Sequence, residues 1–213
     1  MIHADDTFAM IAAERRALCD EMATWADEQW ATPSLCAGWT VRDVAGHLLT
    51  PFTVSNLRFA GGMLTSGFSF TKASDRFARA EAARPVDEIV ATFRAHADSR
   101  FTPPGNGPEA PLTDVLVHGQ DMRRPLGLAH AFAPEHLVRS LEFVKGSPFG
   151  FVPRRRLDGL RFVASDLDWS AGPDDGAAVE GPGEALLLAI TGRAAALDDL
   201  AGPGVDLLRR RLG

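Results

Sequence analysis

The chain has 213 residues, 46% of them hydrophobic, enough to bury one large core or one medium and one small one. A net charge of −6 and a pI near 5.5 argue against a nucleic-acid binder, whose usual mark is a clustered basic face. The longest apolar run, "ALLLAI", is far short of the ~20 residues of a membrane span, and the acidic start, "MIHADDTFAM", lacks the basic and apolar stretches of a signal peptide.

A cytoplasmic, soluble protein with no nucleic-acid or membrane partner is therefore expected, its oligomeric state left open. Cys19 and Cys36 are too few for a disulfide framework and form no CxxC pair, so both are read as reduced thiols. Nothing beside Cys36 in the sequence supplies a base, and it is read as unreactive.

The first 27 residues place Phe8, Ile11, Ala12, Leu18 and Met22 at helical spacing, predicting a long amphipathic helix. After the loop "TPSLCAG", the stretch "GWTVRDVAGHLLT" begins a second helix: Thr40 can accept the backbone N–H of Asp43, and Asp43 adds favourable charge in the first turn. Pro51 is expected to kink or end it. Residues 62–83 are less regular, a helix after a flexible loop. "PVDEIVATFRAHADSRF" is a clear helix with Pro85 near its start. "TPPGNGPEAP" is a loop, and residues 112–124 form the fourth main helix, the content of a four-helix bundle.

The pattern then changes. "APEHLVRSLEFV" is one more helix, and "GSPFGFVPRRR" reads as a boundary linker, with Arg154–Arg156 in a solvated turn. "LDGLRFVASDLDWSAGP" has period-two character with Val163, Leu167 and Trp169 on one face. A short "AAVEGPG" and two helices, "EALLLAITGRAAALDDL" and "GVDLLRRRL", follow. The expected fold is mainly α: a bundle over residues 1–148, then a small α/β or α+β domain over 149–213.

On the fourth helix Asp114, His118 and Asp121 are spaced four and three apart and fall within about 60° of one another. Val115, Val117 and Met122 flank this stripe, while Gln120, Arg123 and Arg124 take the opposite half. The stripe is expected to point into the bundle. Unpaired buried carboxylates are costly, so something cationic must answer them, an arginine from another helix or a metal. On the second helix Val41, Val44, Ala45, Leu48 and Leu49 make the apolar face, with His47 on its shoulder. His47, Asp114 and His118 then offer three N/O ligands with open positions left over, the pattern of a catalytic divalent metal. Plainer readings stay open: a half-buried His47 with a hydrogen-bond partner, and an i,i+4 surface pair for Asp114 and His118. His3, His96, His130 and His136 read as solvated faces or chain ends.

"EQWATPSLCAGWTVRDVAGHL" followed by "TDVLVHGQDMRRPLG" resembles the mycothiol-dependent maleylpyruvate isomerase family, a branch of the DinB-like metal-binding four-helix bundles. The tail "GPGEALLLAITGRAAALDDLAGPG" is similar to that family's small C-terminal domain. The resemblance implies that His47, Asp114 and His118 bind a divalent metal, zinc or one like it, with Asp114 one methylene shorter than the family's glutamate. It gives Asp121 the role of orienting His118 and implies mycothiol as the thiol cofactor. Arg123 and Arg124 are candidates for anchoring an anionic ligand. The expected function is a thiol-dependent isomerase or S-transferase acting on a small electrophile. The alternatives are a non-catalytic bundle that binds a ligand or partner, and a metal-dependent hydrolase.

Overall fold

The computed structural model describes residues 4–146 and 152–213, so His3 and the expected boundary at 148/149 lie outside the described residues. The chain divides into two compact units, Met1–Ala129 and His130–Gly213.

In the first unit the main helices are α1 (Ala4–Met22), α3 (Val41–Thr53), α6 (Val86–Ala95) and α7 (Glu109–Arg123). α1 packs on α6 and α7, and α3 packs on the same two, which closes a four-helix ring. Ile11, Leu18, Val44, Leu49, Phe93 and Leu116 are buried in its core. A short α2 (Asp27–Trp30) precedes the loop that leads to α3.

Thr40 caps α3 as expected: its hydroxyl accepts from Asp43 N at 3.2 Å, and Asp43 Oδ2 accepts from Thr40 N at 2.9 Å. Such a reciprocal cap contributes about 1 kcal/mol and fixes where the helix starts. Pro51 does not end α3, which continues to Thr53. The next bonds are kept: Thr53 Oγ1 donates to Leu49 O at 3.1 Å and Val54 N to Thr50 O at 3.1 Å.

The segment expected to be irregular is two helices, α4 (Asn56–Thr65) and α5 (Phe70–Ala82), N-capped by Ser55 and Ser69. α5 lies against α3 at very short range. A Cβ on Gly46 would fall 2.3 Å from Ala78 O and 2.7 Å from Ala82 N, so only glycine lets the two backbones meet there.

α7 overturns the expected orientation of the fourth helix. Gln120 and Arg123, expected on an outer polar half, are buried at 2% and 1% exposure. Of its fifteen residues only Glu109, Asp114 and His118 are not buried. Within the ionisable stripe Asp121 is fully buried, while Asp114 and His118 are part-exposed, at 30% and 13%. Arg123 can be interior because Glu21 of α1 takes it in a two-pronged ion pair, Nε to Oε2 at 2.6 Å and Nη2 to Oε1 at 3.1 Å.

The second unit begins with α8 (Pro134–Lys145), which packs on α9 (Gly183–Thr191) and so lies with the small domain. Its sheet has the order β2-β1-β3, where β1 is Leu160–Ala164, β2 is Ser170–Ala171 and β3 is Ala177–Gly181. β1 runs parallel to β3, with Phe162 opposite Val179, and antiparallel to β2. The buried residues of β1 are Leu160 and Phe162, one position off the expected Val163 face, because the turn at 165–168 breaks the alternation before Trp169. Trp169 is buried, and its Nε1 donates to Glu142 Oε1 of α8 at 2.9 Å. Arg154–Arg156 forms the expected turn, with Arg156 donating to Ile190 O at the end of α9 at 2.9 Å. A terminal α10 (Val205–Leu212) completes the unit. The mainly α class, with a helical bundle followed by a small α/β unit, is as expected.

Candidate functional site

α3 and α7 pack side by side, and each brings an imidazole to their common opening. His47 Nε2 lies 3.8 Å from Asp114 Oδ1, and His118 Nε2 lies 3.5 Å from the same oxygen. The two rings meet edge to face with centroids 4.8 Å apart. All three side chains are part-exposed: 20% for His47, 30% for Asp114 and 13% for His118.

The far nitrogens of both rings are also engaged. His118 Nδ1 is 2.9 Å from Asp121 Oδ2, and His47 Nδ1 is 3.3 Å from Ser74 Oγ on α5. Asp121 has no exposed side-chain surface. A buried carboxylate favours a proton on the nitrogen that faces it, which leaves the Nε2 lone pair of His118 aimed at Asp114. Trp39 stands 5.3 Å from the His47 ring and is held by its Nε1–H to Asp75 Oδ1 at 2.8 Å.

Burial pushes the Asp114 carboxyl up, but the neighbouring imidazoles of His47 and His118 and the charge of Arg15 outweigh that, and the net shift is downward. Arg15 acts at a distance. Its Nη1 donates to Ser99 O at 2.9 Å and to Ala97 O at 3.3 Å, and its guanidinium lies 5.0 Å from the Phe52 ring centre.

His47, Asp114, His118 and Asp121, all picked out from the sequence, are thus brought together. Arg123 is not: it is spent on Glu21 within the bundle and does not reach the opening. Arg124 begins the turn after α7. His96 lies stacked on Phe52 at 5.0 Å, with its Nδ1 2.8 Å from Thr92 O.

Two contributors went unseen in the sequence. Ser74 belongs to the segment read as irregular. Cys36, read as having no base nearby, donates its thiol to Asp121 Oδ2 at 3.0 Å and lies 3.8 Å from His118 Nδ1. Leu35 N donates to Asp121 O at 3.1 Å, so the loop is pinned to α7 at this point. No local signal marks Cys36, because its partners are 82 and 85 residues away.

The ligand atoms of His47, Asp114 and His118 lie within 4.8 Å of one another, so the group could hold a metal ion. Around a four-coordinate zinc-like ion, N and O ligands stand about 3.3 Å apart. The two edges at Asp114 Oδ1, 3.5 and 3.8 Å, lie within a few tenths of an ångström of that spacing. The donor set fits a divalent cation, and its part-exposed side leaves positions for further ligands.

Residues 11–102 match the family model described as the mycothiol maleylpyruvate isomerase N-terminal domain. No curated protein sequence matches the chain. Two similar solved structures are the crystal structures of the mycothiol-dependent maleylpyruvate isomerase and of a histidine-to-alanine mutant of it, with TM-scores of 0.64 and 0.63. Each is 14% identical to this chain, and each alignment covers 95% of this chain and 93% of the other. The fold is therefore shared along nearly the whole chain: a helical bundle followed by a small α/β unit. The match over 11–102 makes most of the helical unit similar to the mycothiol maleylpyruvate isomerase N-terminal domain.

Proposed function

We propose that this chain is a cytoplasmic, metal-dependent enzyme of thiol chemistry. In this reading His47, Asp114 and His118 hold one divalent cation, with zinc the best match to two imidazoles and a carboxylate. Mycothiol serves as the low-molecular-weight thiol, and a small electrophile is isomerised or receives the sulfur. The observation that carries the reading is the pairing of both imidazoles away from Asp114. Ser74 and Asp121 take the Nδ1 positions, and the two Nε2 atoms are left facing one carboxylate oxygen.

The roles of the side chains follow from their surroundings. A divalent cation in such a donor set supplies Lewis acidity that favours thiolate over thiol. Asp121 fixes the tautomer and the tilt of His118, and Ser74 steadies the tilt of His47. Cys36 donates to Asp121 and so helps to hold the carboxylate that orients His118. Trp39 gives one side of His47 an apolar wall. Because Arg15 is engaged by backbone carbonyls, it does not occupy the place between the rings, which favours a metal over an arginine as the cation there.

Elemental analysis of protein purified without an affinity tag tests the metal. One equivalent is expected in the wild type, and His47→Ala and His118→Ala should each lose it. Calorimetry with mycothiol on metal-loaded protein tests the thiol. Wild type without stoichiometric metal would point to a ligand-binding bundle, and metal without heat on adding mycothiol would point to a hydrolase. Either result refutes the proposal.

A further inference from the structure

Five of the six exposed large apolar side chains among the described residues lie between Leu57 and Phe70. Leu57 is 85% exposed, Leu64 65%, Phe68 73%, Phe70 58% and Phe59 36%. Leu57 and Leu64 are two turns apart on one face of α4, with Gly61 between them. The only buried residue of α4 is Gly62, pressed against the Phe77 ring of α5. At the tip of the hairpin Phe68 has a φ of 59°, a left-handed conformation that costs a bulky residue strain, and this turn points its ring to solvent.

The charge around this patch is one-sided. No aspartate or glutamate occurs between Asp43 and Asp75 in a chain whose net charge is −6. Arg58, Lys72 and Arg76 are exposed on the same hairpin, and no ion pair engages Arg58 or Lys72 among the described residues. Between the two helices a groove of about 350 Å³ is lined by Arg58, Gly61, Gly62, Thr65, Arg76 and Phe77. Arg76 is steadied at its edge by donating to Thr65 Oγ1 at 2.8 Å.

We propose that the α4–α5 hairpin is an interfacial anchor that lays this protein on an anionic lipid surface. Phe68, Phe70, Leu64 and Leu57 enter the headgroup boundary, and Arg58, Lys72 and Arg76 meet the lipid phosphates. Exposed Phe and Leu beside Lys and Arg, with no acid before Asp75, is the composition of a helix that lies in the membrane plane. Such docking needs no spanning segment, and no described helix is long and apolar enough to cross a membrane. A second copy fits the patch poorly: two-fold pairing would set like cations against each other with no acid on the hairpin between Asp43 and Asp75 to answer them.

The test is co-sedimentation of the full chain with lipid vesicles, of phosphatidylcholine alone or with about a quarter phosphatidylglycerol. Wild type is expected to bind the anionic vesicles selectively and to be released by salt. The double variant Leu64→Ser/Phe68→Ser, exposed at both positions, should lose binding while keeping its circular dichroism and melting temperature. Arg58→Gln/Lys72→Gln should weaken the anionic preference by about thirtyfold, the effect of removing two cations from a charged surface. Three results would overturn the inference: no vesicle binding; equal binding to neutral and anionic vesicles; or a dimer by light scattering that Leu64→Ser/Phe68→Ser dissociates.

Discussion

Replacing Gly46 by alanine tests whether the close approach of α3 and α5 governs both stability and the candidate site. The added methyl would stand 2.3 Å from Ala78 O and 2.7 Å from Ala82 N, and both atoms are backbone in the last turn of α5. Ordinary contact needs at least 3.4 Å, so α5 must retreat by about 1 Å, and overpacking of this kind costs about 1–3 kcal/mol. Alanine recovers up to about 1 kcal/mol of helix propensity. With backbone on both sides the clash should win, leaving a net loss of about 1 kcal/mol and a melting temperature lower by about 2–4 °C. Gly61→Ala is the matched control. Nothing lies within 4 Å of its added methyl, so propensity alone should act and stability should rise slightly. Urea titration of both variants beside wild type makes the measurement. The retreat also carries Ser74 away from His47 Nδ1, now 3.3 Å apart, so metal affinity should fall in Gly46→Ala but not in Gly61→Ala. Should Gly46→Ala melt at or above the wild-type temperature, the claim that glycine is needed for the helix contact is wrong.

Arg123→Met removes a buried guanidinium from its two-pronged pair with Glu21 and should cost about 3 kcal/mol, read by denaturant titration, while metal content stays at the wild-type level. A loss of metal without a loss of stability would return Arg123 to the site. Asp114→Glu should keep or raise metal affinity, measured by competition with a chromogenic chelator; a fall of more than about tenfold would mean that the donor set is built around the shorter acid. The Cys19 thiol is fully buried, and burial raises it from 9.0 to about 11, opposed by Arg94. The raised folded-state value means that stability is intact below pH 9 and declines as pH climbs toward 11. Cys19→Ala should flatten that decline in thermal melts, and a thiol reagent at pH 8 should titrate Cys36 in the native protein and Cys19 only after unfolding.

The helix starts were legible because their signals are local. Thr40 and Asp43 are three residues apart, and the cap they form also sets where His47 falls on α3. Asp114 and His118 were legible for the same reason, four apart on one helix. What escaped the sequence was set by contacts at long separation. The sense of α7 was misjudged because Arg123 and Gln120 look like surface residues until Glu21, far back in α1, supplies the buried partner. Cys36 looked isolated because its contacts with α7, to His118 and Asp121, lie 82 and 85 residues away in the chain. α4 and α5 were blurred by their glycines and serines, two of which turned out to be the N-caps Ser55 and Ser69. In the small unit the strand face slipped by one residue, since alternation carries no information about where a turn interrupts it.

The enclosure of α7 limits how this protein can evolve. A helix with only Glu109, Asp114 and His118 left unburied has little room to roll or slide and carry its two candidate ligands to new positions. Changes in reach at position 114, such as an acid longer by one methylene, must be absorbed by α3, by α5, or by the loop bearing Cys36. Descendants with altered specificity should therefore accumulate their substitutions on those elements, leaving the α7 backbone as the fixed datum against which the rest of the opening is adjusted.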